Sequence, residues 1–292
     1  MHATAAPRGS LARLIGVLTL MRPHQWIKNV FVFAPLLFTG QFVNGSAITQ
    51  SLLAFVFFCL ASSACYIVND LHDIERDRQH PKKSLSRPLA SGLVTPAQAL
   101  IALCLLYLAV AGAGLMMPQV FLVILGYLLL NLAYTFILKH QPVVDIFTIA
   151  VGFVLRVYAG AMALSVPVSA WMFVTTLCLA LYLAAVKRRQ ELNSVGDSSR
   201  EVLRHYSPEL IDRYAEMAAT GALLFYSLFV MHARPELVMT IPLVLFGLFR
   251  YWFIVEAYSE GESPTDALLS DWQLQLTVVG WGITCAYALW PQ

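Results

Sequence analysis

The residues in this 292-residue chain best suited to chemistry begin with Asn69-Asp70-Leu71-His72-Asp73-Ile74-Glu75-Arg76-Asp77. At about 100° per residue, Asn69, Asp70, Asp73 and Asp77 fall on one stripe of a helix. Carboxylates crowded on one stripe repel each other unless a cation neutralises them. Oxygen donors without His or Cys partners suit Mg²⁺, which takes one or two carboxylates and completes its shell with substrate phosphates. A solvated, charged helix end is the bland alternative. It explains poorly why so many acids stand directly beside an apolar run.

Cations follow at once. Arg78, Lys82, Lys83 and Arg87 lie around His80-Pro81 and Arg87-Pro88-Leu89-Ala90-Ser91-Gly92. Arg grips phosphate oxygens in two places and Lys supplies a compact charge, so the segment reads as a site for Mg²⁺ plus a polyphosphate. Contact with lipid headgroups would explain the bases but not the acids beside them. A second constellation, Lys187-Arg188-Arg189-Gln190-Glu191, sets Lys187 and Glu191 four apart on one helical face. Its alternative is a snorkelling basic belt. Lys28, Lys139, Asp145, Arg156 and Arg250 lie close to or within apolar runs, where ionisable groups usually face a bundle interior. Arg22 stands with Lys28 at the start of the first run, within reach of a lipid headgroup.

Long apolar helices must position these groups. The chain is 59% hydrophobic and 12% charged, with a mean hydropathy of +0.68. Soluble domains are about 45–50% apolar and about 25% charged. This composition excludes a nucleic-acid-binding module, a disordered scaffold and a conventional soluble enzyme. Nine apolar segments can cross a bilayer, near 25–43, 48–68, 96–116, 119–138, 143–164, 168–186, 214–233, 236–256 and 270–290. The expected fold is all-α: a polytopic membrane protein with nine transmembrane helices in one unit, 1–292.

The long polar links, near 69–95, 187–213 and 257–269, share one face. Of 19 Lys and Arg, Arg234 alone falls on the opposite face, and Arg156 and Arg250 lie within spans. Of 17 Asp and Glu, Glu236 alone is on that opposite face. The basic excess makes the N-terminus and long links cytoplasmic, and nine crossings then put the C-terminus outside an inner (plasma) membrane. One nearly bare face argues against a channel and for a cytoplasm-facing catalytic site. The first segment, 1–24, has no small-residue cleavage site after its apolar run and reads as an interfacial amphipathic segment. The five cysteines all lie in apolar runs, with no CxxC pair, and read as packing residues.

Asn69-Asp70-x-x-Asp73-x-x-x-Asp77, followed by Arg87-Pro88 and Gly92, resembles the first acidic motif of the UbiA superfamily of intramembrane prenyltransferases. The resemblance implies nine helices around a central cavity open to the cytoplasmic side, with Mg²⁺ and diphosphate held at helix ends. Many aromatic prenyltransferases of the superfamily carry a second acidic motif, DxxxD, at the end of span 6. Here that place reads Lys187–Glu191, without aspartate. With Arg22-Pro23-His24-Gln25-Trp26-Ile27-Lys28-Asn29 and His80-Pro81-x-Lys83, the chain is similar to the decaprenyl-phosphate phosphoribosyltransferase branch. That branch moves phosphoribose from phosphoribosyl pyrophosphate to a polyprenyl phosphate, toward an arabinosyl donor for cell-wall glycan.

The resemblance implies a division of labour. Asn69, Asp70, Asp73 and Asp77 are the expected Mg²⁺ ligands, and Asp73, Asp77, Lys187 and Glu191 the expected catalytic set. Lys82, Lys83 and Arg87, with Asn69, are expected on the pyrophosphate, and Arg188 and Arg189 on the sugar-phosphate end. Arg22 and Lys28 are expected to guide the lipid acceptor, and Lys139 and Arg156 complete the expected binding set. The nearest rival is transfer of a prenyl group to an aromatic acceptor; a more distant one is a non-catalytic lipid carrier. Aromatic-rich apolar surfaces fit membrane lipid or a homo-oligomer interface equally.

Overall fold

The computed structural model describes residues 10–81, 83–194, 201–257, 268 and 270–291. Lys82, and the middle of the link expected at 187–213, lie outside the described residues. Among the described residues the chain is helical throughout, with no strand. The helices are α1 Ser10–Leu20, α2 Ala34–Phe38, α3 Gly45–His72, α4 Ile74–Gln79, α5 Lys83–Ser86, α6 Pro96–Met116, α7 Pro118–Phe136, α8 Val144–Ala163, α9 Ala170–Ser194, α10 Pro208–Ala233, α11 Ile241–Ala257 and α12 Trp272–Ala288.

Local chemistry sets the starts of the long helices. Asn44 caps α3 by accepting from the Ser46 and Ala47 N–H groups. Thr95 and Gln98 form a reciprocal capping box at α6, with Pro96 in the first turn. Pro118 opens α7 one residue after α6 ends, producing a tight hairpin. Ser207 and Asp271 cap α10 and α12 through the Leu210 and Leu274 N–H groups.

Among the described residues, seven helical stretches are long and apolar enough to cross a membrane: those at α3, α6, α7, α8, α9 and α10, and Pro235–Ala257, which contains α11. The other two expected crossings differ from these. The first, expected at 25–43, is a tight-turn 3₁₀ segment Pro23–Phe33, then the short α2, then a 3₁₀ turn at Gln41–Val43. Gly40, at φ 71°, makes the bend between the last two. The last is α12, whose 17 residues span about 26 Å. The link expected at 187–213 is helical at both of its described ends. Helix α9 runs on to Ser194, so Lys187–Glu191 are helical, and α10 starts at Pro208.

Helices α9 and α10 pack most extensively, and α8 lies against both α7 and α9. The broken first segment docks on α8 and α3. It packs tightly at Gly160, where an added Cβ would overlap the Val32 carbonyl oxygen. Helix α1 turns Leu20 into a cluster with Ala64, Ile67 and Leu106, while Leu11, Leu14, Ile15 and Leu18 form an exposed apolar stripe. That spacing, i, i+3, i+4, i+7, is the one expected of a helix lying in a membrane interface.

Gly160→Ala should lower the thermal unfolding midpoint in detergent, by the equivalent of about 1–3 kcal/mol or more, because backbone must move to admit the methyl. Gly112→Ala, where a Cβ meets nothing within 4 Å, should leave the midpoint unchanged. Equal midpoints for the two variants would show that the close contact does not constrain the first segment.

Candidate active site

The acidic stripe stands where α3 ends. The helix stops at His72, Asp73 turns the corner at φ −93°, ψ 9°, and α4 restarts at Ile74. The Asp73 N–H still reaches the Asn69 carbonyl (2.9 Å) and the Asp77 N–H the Asp73 carbonyl (2.9 Å). The four-residue spacing therefore survives the break in the helix.

Each carboxylate of the stripe meets a cation from elsewhere. Asp70, 2% exposed, receives Arg22 at 2.5 Å and Arg87 at 2.7 Å, both on Oδ1. Arg87 also reaches Asp77 Oδ2 at 2.5 Å, with Lys83 3.8 Å from Oδ1. Lys139, buried in the turn between α7 and α8, donates to Asp73 at 3.0 Å. Arg22 has positive φ (53°), and its guanidinium lies 5.0 Å from the centre of the Tyr66 ring. Ser63 secures this corner by donating to the Met21 carbonyl (2.9 Å) and accepting from the Trp26 indole (3.0 Å).

Burial works to raise the Asp73 carboxyl, but the Lys139 hydrogen bond and charge, with His72 and Arg76, outweigh it. The group sits below its ordinary value of 3.8. His80 is held below 6.5 by burial and the Lys83 charge, so it is neutral at pH 7.

Oxygen is the only donor type on this stripe, and Asp70 Oδ2 is buried without a hydrogen-bond partner. No group of three or more His, Cys, Asp or Glu is gathered for a metal among the described residues. Such a donor set fits Mg²⁺ bound by one or two carboxylates and completed by substrate phosphate, rather than an all-protein cage.

The second helix end is a closed network. Arg188 is fully buried; it donates to Asp145 Oδ2 (2.6 Å), Glu191 Oε2 (2.6 Å) and the Tyr134 hydroxyl (3.0 Å). Lys187 stands 3.9 Å from Glu191, and Arg189 pairs with Asp212 on α10 at 2.9 Å. Tyr206 donates to Asp145 Oδ1 at 2.7 Å. Burial first, and then the Asp145 charge, raises the Tyr206 hydroxyl well above its ordinary value, so it keeps its proton. The structure thus pairs Lys187 with Glu191 as their spacing implies, and adds Arg188, expected on the sugar-phosphate end, as a second partner of Glu191. Asp145 appears in the sequence as an ionisable group near a span, but without a partner. Tyr134, Tyr206 and Asp212 carry no sequence signal, being ordinary residues far along the chain.

Arg156 sits apart, 5% exposed within α8. It donates to Asn29 Oδ1 (2.8 Å), the Gly152 carbonyl (2.7 Å) and the Tyr127 hydroxyl (3.1 Å). The rings of Phe58, Tyr127 and Phe153 lie 5.0–5.2 Å from its guanidinium. Lys28 is half-buried beside Asn29. A groove of about 170 Å³ opens between α3, α6 and α7, lined by Cys65, Val68, Tyr107, Leu128, Leu132 and Thr135 among others.

The family model for the UbiA prenyltransferase family matches residues 30–288. The chain belongs to the UbiA prenyltransferase family. Decaprenyl-phosphate phosphoribosyltransferase of Mycobacterium tuberculosis (strain ATCC 25618 / H37Rv) is 35% identical over 287 residues, 94% of each chain. The protein of the same description from Corynebacterium glutamicum is 34% identical over 286 residues, 91% of this chain and 84% of that one. A UbiA homolog from Archaeoglobus fulgidus, bound to DMAPP and Mg²⁺, shares the fold at a TM-score of 0.72 and 19% identity, covering 94% of this chain and 99% of that one.

In this UbiA protein the Asp73–Lys139 pair ties the end of α3 to the α7–α8 turn. Because the folded-state value of Asp73 is depressed, the pair stabilises the fold above the ordinary carboxylate range. That stability is lost as pH falls through the folded value, below 3.8. Unfolding midpoints of the wild type and Asp73→Asn should therefore differ constantly from pH 7 to about 4.5 and converge below the ordinary value. A difference that vanished already at pH 6 would remove the ion pair as its source.

Proposed function

We propose that this UbiA protein transfers 5-phosphoribose from phosphoribosyl pyrophosphate to a polyprenyl phosphate, releasing pyrophosphate. The product would be a lipid-linked sugar phosphate suited to arabinan precursor synthesis. The observation that carries this proposal is the composition of the Lys187–Glu191 run at the second helix end. There Lys187, Arg188 and Arg189 stand together with Glu191 as the only carboxylate of the run. A prenyl diphosphate has one anionic end, which two acidic, metal-bearing motifs can grip from both sides. Phosphoribosyl pyrophosphate adds a 5-phosphate, and the acceptor adds another, so basic residues replace the second acidic cluster. The two phosphoribosyltransferase relatives at 34–35% identity support the same choice.

Asn69, Asp70, Asp73 and Asp77 are the residues to hold Mg²⁺. When bound, it would neutralise charge developing on the pyrophosphate leaving group. Arg87 and Lys83, already on Asp77 and Asp70, turn toward the incoming pyrophosphate, and Lys82 belongs to the same clamp. Lys187 and Arg189 hold the sugar-phosphate end. Glu191 orients Lys187 or accepts from a ribose hydroxyl. Arg188 serves by fixing Glu191, since its guanidinium is sealed on every side. Arg22 and Lys28 guide the lipid phosphate, with the apolar groove between α3, α6 and α7 receiving part of the isoprenoid chain. A phosphate monoester is already nucleophilic, so no strong general base is needed. Attack at the anomeric carbon opposite the pyrophosphate inverts that centre. Positioning and electrostatic stabilisation supply the rate.

The same proposal takes the chain as one unit of nine crossings around a cavity open to the cytoplasm. The N-terminus and active-site links would be cytoplasmic and the C-terminus outside, a placement the charge distribution supports. A prenyl transfer to an aromatic acceptor is the second reading, favoured by the acidic stripe alone.

A two-donor assay on protein purified in detergent separates the two. Labelled phosphoribosyl pyrophosphate with a polyprenyl phosphate should give Mg²⁺-dependent lipid-phase label that EDTA abolishes. Product only from a prenyl diphosphate with 4-hydroxybenzoate would assign aromatic prenyl transfer instead. Asp73→Asn should reduce turnover at least about a hundredfold while the protein still folds. Full activity in that variant would sink the metal assignment.

A further inference from the structure

The turn between α7 and α8 contains a backbone that its sequence does not favour. Val143, just before α8, adopts φ 69°, ψ −46°. A β-branched residue is rarely found there, because its Cβ crowds the neighbouring backbone, and the geometry approaches the strained γ-turn. Surrounding contacts must hold it.

One of them is visible. The Val143 N–H donates to the Tyr206 hydroxyl at 2.6 Å. The same hydroxyl donates onward to Asp145 Oδ1 at 2.7 Å, and the other oxygen of Asp145 receives Arg188 at 2.6 Å. Four residues before Val143 on the same turn, Lys139 holds Asp73. The turn thus touches the first helix end through Lys139 and the second through Asp145. Tyr206 is the side chain bonded to the strained residue between them. It is 7% exposed and follows the 3₁₀ turn Glu201–His205, which packs against the Leu138–His140 turn.

We propose that Tyr206 is a positioning residue that couples the two charged helix ends by holding Val143 in its strained conformation. Without the hydroxyl, Val143 relaxes toward negative φ, the turn rotates, and Lys139 and Asp145 change their separation. Two helix ends that grip one anionic donor do so well at only one spacing, so donor binding suffers first. This last step rests on the phosphoribosyl transfer proposed above.

The test compares full-length wild type with Tyr206→Phe, Val143→Gly and the double variant, all in detergent with Mg²⁺. Tyr206→Phe should raise KM for phosphoribosyl pyrophosphate about tenfold, the effect of losing a hydrogen bond to a charged group, with kcat within about threefold of wild type. Glycine takes positive φ without strain. Val143→Gly in the Tyr206→Phe background should therefore return KM to within about threefold of wild type. A purely structural tyrosine would give no such rescue. An unchanged KM in Tyr206→Phe, or a double variant as impaired as Tyr206→Phe, overturns the proposal. If Tyr206→Phe alone does not fold, recovery of folded protein in the double variant supports the coupling and its absence overturns it. Amide hydrogen exchange without substrate stands apart from the chemistry. Faster exchange in Tyr206→Phe at both 138–140 and 187–191 supports the coupling even if wild type transfers no phosphoribose. Exchange unchanged at either segment overturns it.

Discussion

A carboxylate at the buried end of a membrane helix must be neutralised, and Asp70 shows what that demands of the rest of the chain. It is 2% exposed and takes two guanidinium groups on a single oxygen, from Arg22 before α2 and Arg87 after α5. Removing both cations would leave uncompensated charge in a low-dielectric setting, which typically costs about 3–5 kcal/mol. Neither arginine is local to Asp70, so satisfying this one group fixes where two separate segments lie. Asp73 extends the demand through Lys139, 66 residues along the chain. The charges make the helix ends, the α7–α8 turn and the segment entering the first crossing one connected object.

Two buried arginines show different ways of meeting the same constraint. Arg188 has carboxylates on either side, Asp145 and Glu191, plus a tyrosine hydroxyl. Arg156 is held by neutral oxygens and aromatic faces instead. Asn29 is central to that second solution, because its amide group also donates to Ser62 (3.1 Å) and Cys59 Sγ (3.2 Å) on α3. The bond therefore staples the irregular segment Pro23–Phe33 between α3 and α8. That segment is not a regular α-helix, and polar cross-links replace part of the order a regular helix would supply. Its proximal end adjoins Arg22, so the Arg156 cluster bears on the acidic stripe through the backbone.

Much of this architecture was legible before any coordinates. Hydropathy located α3, α6, α7 and α8 to within a few residues, because a helix in lipid satisfies its backbone internally and must be apolar over its length. The acidic stripe and the Lys187–Glu191 pair were legible because helical periodicity relates residues three and four apart. The break at Asp73 was not, since the hydrogen-bond spacing continues through it. Hydropathy marks the first segment as one apolar run although Pro23, Pro35 and Gly40 stand in or beside it; apolar composition masks the irregular backbone. Partners such as Lys139 with Asp73, or Tyr206 with Asp145, are set by tertiary packing 60 or more residues apart. Periodicity carries no information at that distance.

The fully paired charges also bear on how an anionic substrate could bind. Lys83, Arg87 and Lys139 all rest on carboxylates, so a phosphate does not meet bare cations. In the proposed transfer it would compete for them, and Mg²⁺ on Asn69, Asp70, Asp73 and Asp77 would relieve the acids that the phosphate deprives of partners. Metal and phosphate would then favour each other's binding, since each neutralises what the other displaces. The buried, partnerless Oδ2 of Asp70 fits this exchange, because it is an acceptor that the resting ion pairs leave unused. At the second helix end Arg188 is too deeply enclosed to take part. The exposure of Lys187 and Arg189, 36% and 17%, leaves those two side chains to adjust, while Arg188 keeps Glu191 in register beneath them. A fixed inner arginine under movable outer cations lets one helix end hold its geometry and still reorganise around an anion.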